Sequence, residues 1–222
     1  MKHRDGTIGD RRSVITGLGL AAAGIAVAST GTAQAQQGRA FRPARHELDA
    51  WMGELPGSHR VFVDSASMAG GGDALLYANN VYMQQVSAYG GADSDLAMIV
   101  CFRHFSTPFG YTDAMWKKYG ADFHKLMQAT GDAPEANPMN GAGDPVGGVT
   151  LGSLAAKGTQ FAICSAATRF IANQLASNTN MQADDVFNEL LANAVPGGRF
   201  VPAGVMALTR SQEYGYSVLI AG

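Results

Sequence analysis

Leu96-Ala97-Met98-Ile99-Val100-Cys101-Phe102 is the stretch that decides the architecture. These seven consecutive residues are apolar, with no alternation of wet and dry positions. A run this short and continuous suits a strand covered on both sides, as in a parallel sheet between helix layers. Upstream, His59-Arg60-Val61-Phe62-Val63-Asp64 reads as another buried strand, and residues 159–164 downstream as a third. Residues 200–201 and 216–220 complete a set of about five strands. Helical patterns separate them. Over 73–88, with Asp73 as cap, Leu75, Ala78, Tyr82 and Val86 form one stripe, beside Leu76, Asn79 and Met83. Over 113–128, Met115, Tyr119, Phe123 and Met127 recur every fourth residue. Further helices are expected at 151–157, 166–176, 184–194 (capped by Asp184) and 204–214. The alternation predicts an α/β fold, a three-layer α/β/α sandwich with a mainly parallel sheet. Strand order stays open. If the second and third strands both flank the first, they lie about 9.5 Å apart. In such folds the working groups gather beyond the C-terminal ends of the strands, which directs attention to the loops after residues 64, 102 and 164.

The chain has 222 residues, 16 Lys+Arg against 18 Asp+Glu, and 2 Cys. A formal net charge of −2 offers no basic footprint, so no nucleic-acid partner is expected. Two cysteines are too few for a disulfide scaffold. Residues 1–35 read as an export signal. Arg11-Arg12 precede an apolar stretch, Val14 onward to Val27, and Ala33-Gln34-Ala35 offers a small-x-small cleavage site. The arginine pair resembles a twin-arginine signal, with Val14 where that signal usually has Phe; an ordinary secretory signal and an uncleaved anchor are the other readings. The expected location is the periplasm or outside. After this segment no apolar run is long enough to span a membrane. Residues 36–57 form a polar N-terminal extension in which Leu48, Trp51, Met52 and Leu55 suit a short helix. Residues 58–222 form the α/β domain.

Cys164 is the first candidate for chemistry. It falls where a strand ends and a helix begins, and a helix N-terminus stabilises a thiolate. Arg169, a turn further on, supports the thiol if it points back. A small buried core residue is the other reading of the same cysteine. Cys101 and His104 form a Cys-x-x-His pair, with His124 on the following helix as a third candidate, which is short of a metal site; no metal and no cofactor are expected. A Cys101–Cys164 disulfide needs Cα atoms within about 7 Å. The connection 102–111 is rich in aromatics, either as a ligand-binding loop or as a lid on the protein's own surface. In it Arg103 and His104 fall near the same sheet edge as Cys164. Gly70-Gly71-Gly72 reads as a turn or as a backbone nest for an anion. Leu75 occupies the third glycine position of the dinucleotide fingerprint, so that motif fails. Residues 131–145, with Pro134, Pro138 and Pro145, read as a surface insert.

Three segments carry a family resemblance. Gln160-Phe161-Ala162-Ile163-Cys164-Ser165-Ala166-Ala167-Thr168-Arg169 resembles the cysteine segment of the DsrE/TusD sulfur-relay family. The C-terminal segment, Val201-Pro202-Ala203-Gly204-Val205-Met206-Ala207-Leu208 followed by Gln212-Glu213-Tyr214-Gly215-Tyr216, is similar as well. So is the opening strand with the helix carrying Asn79 and Asn80. The likeness covers roughly residues 59–222. It implies a DsrE-like fold, a trimer or hexamer of identical chains, and a protein donor or acceptor of sulfur. It also implies that Cys164 accepts and passes on persulfide sulfur. Known relay members work in the cytoplasm, whereas this chain carries an export signal. The other class of function the residues allow is a non-catalytic module binding a small ligand or partner through the aromatic and glycine-rich loops.

Overall fold

The computed structural model describes residues 42–141 and 148–222. Residues 1–35, read above as an export signal, residues 36–41 of the extension and residues 142–147 of the insert lie outside the described residues. Five parallel strands form one sheet: β1 (His59–Ser65), β2 (Leu96–Phe102), β3 (Gln160–Cys164), β4 (Gly198–Val201) and β5 (Ser217–Ala221). Their order is β4-β3-β2-β1-β5. From β1 the chain steps outward to β2, β3 and β4, then returns to place β5 on the other side of β1. β2 and β3 are therefore neighbours, not the two flanks of β1, and the 9.5 Å separation does not apply.

Every residue of β2 is buried, as its unbroken apolar run demands. Its pleat sends Leu96, Met98, Val100 and Phe102 to one face and Ala97, Ile99 and Cys101 to the other. The first face carries the larger core. It is covered by α2 (Met68–Ser87), α3 (Asp113–Leu126), α4 (Leu151–Ala156), α5 (Ser165–Thr179) and α6 (Ala183–Leu191). The second face is covered by the one-turn α1 (Trp51–Glu54) and by α7 (Gly204–Glu213), through Met52 and Ala207. The molecule is thus a three-layer α/β/α sandwich with unequal outer layers. Among the described residues no helix is long and apolar enough to cross a membrane.

Several local expectations change. The glycine run is not a turn. Gly70, Gly71 and Gly72 lie in the first turns of α2 and are buried. Ser67, not Asp73, caps that helix, its Oγ accepting from Gly70 N–H at 2.9 Å. Gly71 N–H donates to the Ser67 carbonyl. With these groups engaged, the run offers no nest for an anion. Its reason is close approach: a Cβ on Gly70 would strike the Ala221 carbonyl, and one on Gly71 the ring of Phe109. On α2, Leu75, Ala78 and Tyr82 are buried, but Leu76, Met83 and Val86 face outward, because the sheet covers less of the helix than its apolar pattern spans. Leu48 is exposed too; Met52 anchors the extension instead. Asp184 lies inside the first turn of α6, which is capped at Gln182.

The aromatic connection is a 3-10 helix, His104–Gly110. Phe109 and Tyr111 are buried, Phe109 stacks on Trp116, and Trp116 Nε1–H donates to the Pro108 carbonyl at 2.9 Å. Each such ring pair contributes about 0.5–1.5 kcal/mol beyond area burial. Most of this segment is therefore lid, not ligand loop. The insert grips it. Asn137 is fully buried, and its Nδ2 donates to both the Phe109 and Tyr111 carbonyls at 2.8 Å. Its backbone N–H is held by Asp113, and its Oδ1 accepts from Met139 N–H. A buried amide satisfied on all sides is strongly specifying.

Candidate functional site

Cys164 ends β3 and is the N-cap residue of α5. Its Sγ accepts a hydrogen bond from Ala167 N–H at 3.4 Å, which caps the first turn of the helix. The junction is pinned from below. Tyr111 Oη donates to Thr168 Oγ1 at 2.8 Å, and Thr168 Oγ1 donates to the Cys164 carbonyl at 2.9 Å. Burial raises the Tyr111 pKa, keeping this phenol a donor. From the side, Ala166 N–H donates to the Pro202 carbonyl, tying α5 to the loop that leads into α7.

The end of β2 supplies the second wall. Arg103 extends back over the sheet to Asp64 at the end of β1. Its Nη2 lies 2.7 Å and its Nε 2.9 Å from the carboxylate oxygens. Asp64 is fully buried, so this charge requires its partner. The Asp64 hydrogen bond also holds the Arg103 pKa up, and the guanidinium stays charged. A buried hydroxyl pair fixes the turn that follows. Arg103 N–H donates to Ser106 Oγ at 3.0 Å, and Ser106 Oγ lies 2.9 Å from the Ser65 carbonyl. His104, next in line, is exposed and sits in the left-handed region at φ 51°. A non-glycine residue there is uncommon and strained, and the hydrogen bonds on either side of it hold it.

Cys164, Arg103 and His104 line one cleft of about 470 Å³ beyond the C-terminal edge of β2 and β3. The first turn of α7 closes it through Ala203, Gly204 and Val205. Gly204 is needed there, since a Cβ would fall 2.6 Å from Arg103 Cβ and 3.1 Å from Cys101 Sγ. The remaining walls are apolar, including Pro108, Leu126, Phe170 and Ile171.

Arg169 does not join this group. Its Nη1 pairs with Asp184 at 2.6 Å, and its guanidinium lies 3.7 Å from the centre of the Phe187 ring, so it serves the α5–α6 contact. Gly70, Gly71 and Gly72 are likewise elsewhere. His124 lines a separate cleft with Asp73 and Asp132, so Cys101, His104 and His124 do not converge. Among the described residues no group of three or more His, Cys, Asp or Glu is placed to hold a metal.

Both cysteines are free. The register pairs Cys101 with Ala162, which puts Cys164 two residues further along the adjacent strand and on the same face. Strand spacings then give a Cα separation of about 8 Å, beyond the reach of a disulfide without backbone movement. Cys101 is fully buried; burial first, and the Asp64 charge second, push its thiol pKa well up. Asp64, Ser106 and Thr168 were missed from the sequence. The available signal was an acidic residue closing an otherwise apolar strand. Comparison of the chain with protein-family models, with curated proteins and with solved structures finds no match.

Proposed function

We propose that this chain is a sulfur carrier of the DsrE-like type, exported to the periplasm or beyond, in which Cys164 accepts and passes on persulfide sulfur. One observation carries the reading: the thiol of Cys164 caps its own helix at the wall of a molecule-sized cleft, with Arg103 and His104 beside it. A sulfur fixed by a backbone N–H at a cleft wall is held in one place for attack on a bound donor. The strand–Cys–helix resemblance supports the same role, as does the parallel sheet. We also propose assembly as a homo-oligomer, a trimer or hexamer by resemblance, with a protein donor or acceptor of sulfur.

The test is the intact mass of the protein after incubation with sodium polysulfide, alongside Cys164→Ser and Cys101→Ser. We expect whole sulfur atoms to add to the wild type and to Cys101→Ser but not to Cys164→Ser. A folded wild type that gains none, from polysulfide or from an organic hydropersulfide, would overturn the reading. The second reading, a non-catalytic small-ligand module, is favoured by the exposed Phe105, Phe170 and Val205 around the cleft. It predicts ligand binding undiminished in Cys164→Ser.

A further inference from the structure

We propose that the sulfur donor to Cys164 is a small organic persulfide, R–S–SH, with an apolar tail of about aromatic-ring size, rather than an inorganic polysulfide or a peptide persulfide of glutathione type. The inference rests on the carrier reading and adds the substrate class.

Volume, lining and charge carry it. A cleft of about 470 Å³ lies within the range of sites that enclose small molecules. Phe105, Leu126, Met127, Phe170, Ile171 and Val205 give it hydrocarbon walls. Three of these stand well exposed at its rim: Phe105 at 43%, Phe170 at 54% and Val205 at 54%. Exposed apolar side chains gathered around one opening mark a binding surface more often than a solvated one. Burying apolar area against them contributes about 25 cal/mol per Å². The charged lining is already spent: the Arg103 guanidinium is held on two nitrogens by Asp64. Apart from that paired arginine, His104 and the thiol itself, the lining consists of hydrocarbon side chains, Met127 and glycine. A glutathione-type persulfide brings two carboxylates, and an inorganic polysulfide a double negative charge, against walls that are mostly hydrocarbon and an arginine already paired to Asp64. Desolvating charge without a partner is costly. A benzyl-like tail meets no such cost. Cys164 is only 6% exposed, which suits attack on a slim terminal sulfur led in by its tail.

The transfer balances without an outside oxidant. The Cys164 thiolate, having lost its proton to solvent, attacks the terminal sulfur of R–S–SH. A bond forms between Sγ and that sulfur, and the donor S–S bond breaks with its electron pair leaving on R–S⁻. The terminal sulfur keeps its proton, and the departing thiolate takes one from water. The products are Cys164–S–SH and R–SH.

The experiment measures the initial rate of single-sulfur addition to Cys164 by intact mass. The probes are benzyl hydropersulfide, glutathione hydropersulfide and sodium tetrasulfide, each rate divided by that of the same donor with free cysteine. We expect the benzyl donor to lead by about tenfold, equivalent to about 1.4 kcal/mol. Phe170→Asp should erase most of that lead, whereas Met83→Asp, at a similarly exposed apolar residue of α2 outside the cleft, should keep it. Equal normalised rates, or a lead for either anionic donor, would overturn the substrate class while leaving the carrier reading in place. Addition from none of the three donors would overturn the carrier reading itself, and this inference with it.

Discussion

Cys101 and Cys164 sit on one face of adjacent strands, yet their surroundings divide their chemistry. Cys164 has a backbone donor and a cleft; Cys101 has the Asp64 carboxylate nearby and no solvent. Because the folded state raises the Cys101 pKa, it holds the proton after an unfolded chain would release it. The stability contributed is complete below the unfolded value, about 8.5, and is lost as pH rises above it. We therefore expect stability to fall as pH rises above about 8.5, with the unfolded-state tyrosines adding to the fall from about pH 9 upward. Cys101→Ala should flatten that slope in urea unfolding at stepped pH, whatever it does to stability at neutrality. An unchanged slope would mean that another group titrates there. Cys164 was legible from the sequence because a strand-to-helix junction is a local feature. The Arg103–Asp64 pair was not, since it joins residues 39 apart that meet only once β1 and β2 are paired. Arg169 was misassigned for a related reason. Helical spacing says how far a side chain lies along the axis, but here Asp184 and Phe187 on α6 decide where it points.

At the scale of elements, β2 runs from Leu96 to Phe102, the limits its apolar run predicts. The start of α2 was misread, because three glycines in succession signal a turn by conformational cost alone. The contact that outweighs that cost is tertiary. Alanine at an open helical position gains up to about 1 kcal/mol over glycine. At Gly71 the added methyl meets the Phe109 ring, which is itself stacked on Trp116 and has little room to yield. Overpacking of this kind costs about 1–3 kcal/mol. We expect Gly71→Ala to lower stability by about 1–2 kcal/mol net in chemical denaturation. A more stable variant would show that α2 and the 3-10 helix can separate freely. The aromatic connection was ambiguous for a similar reason: ring content does not reveal which way rings face. Phe109 and Tyr111 turned inward and Phe105 outward.

For the whole molecule, the order β4-β3-β2-β1-β5 lay beyond the sequence, since every β-α-β unit reads alike whichever side its strand joins. Among the described residues that order leaves β5 as an edge strand, with Ile220 at 62% and Leu219 at 37% exposure. Unblunted apolar edges invite pairing with another chain, which agrees with the proposed homo-oligomer. We expect light scattering at micromolar concentration to give the mass of three or six chains, and Ile220→Lys to reduce it while circular dichroism stays unchanged. A single-chain mass for the wild type would overturn the assembly. The Asn137 grip on the 3-10 helix has a consequence on a slower clock. Asparagine residues age by cyclising onto the backbone nitrogen of the next residue, and the product aspartate would set a carboxylate against the Phe109 and Tyr111 carbonyls. The next residue here is Pro138, which has no N–H to make that attack. The amide that keeps the lid in register is thus shielded from the commonest route of chemical decay, so the cleft it supports should hold its shape for as long as the chain lasts.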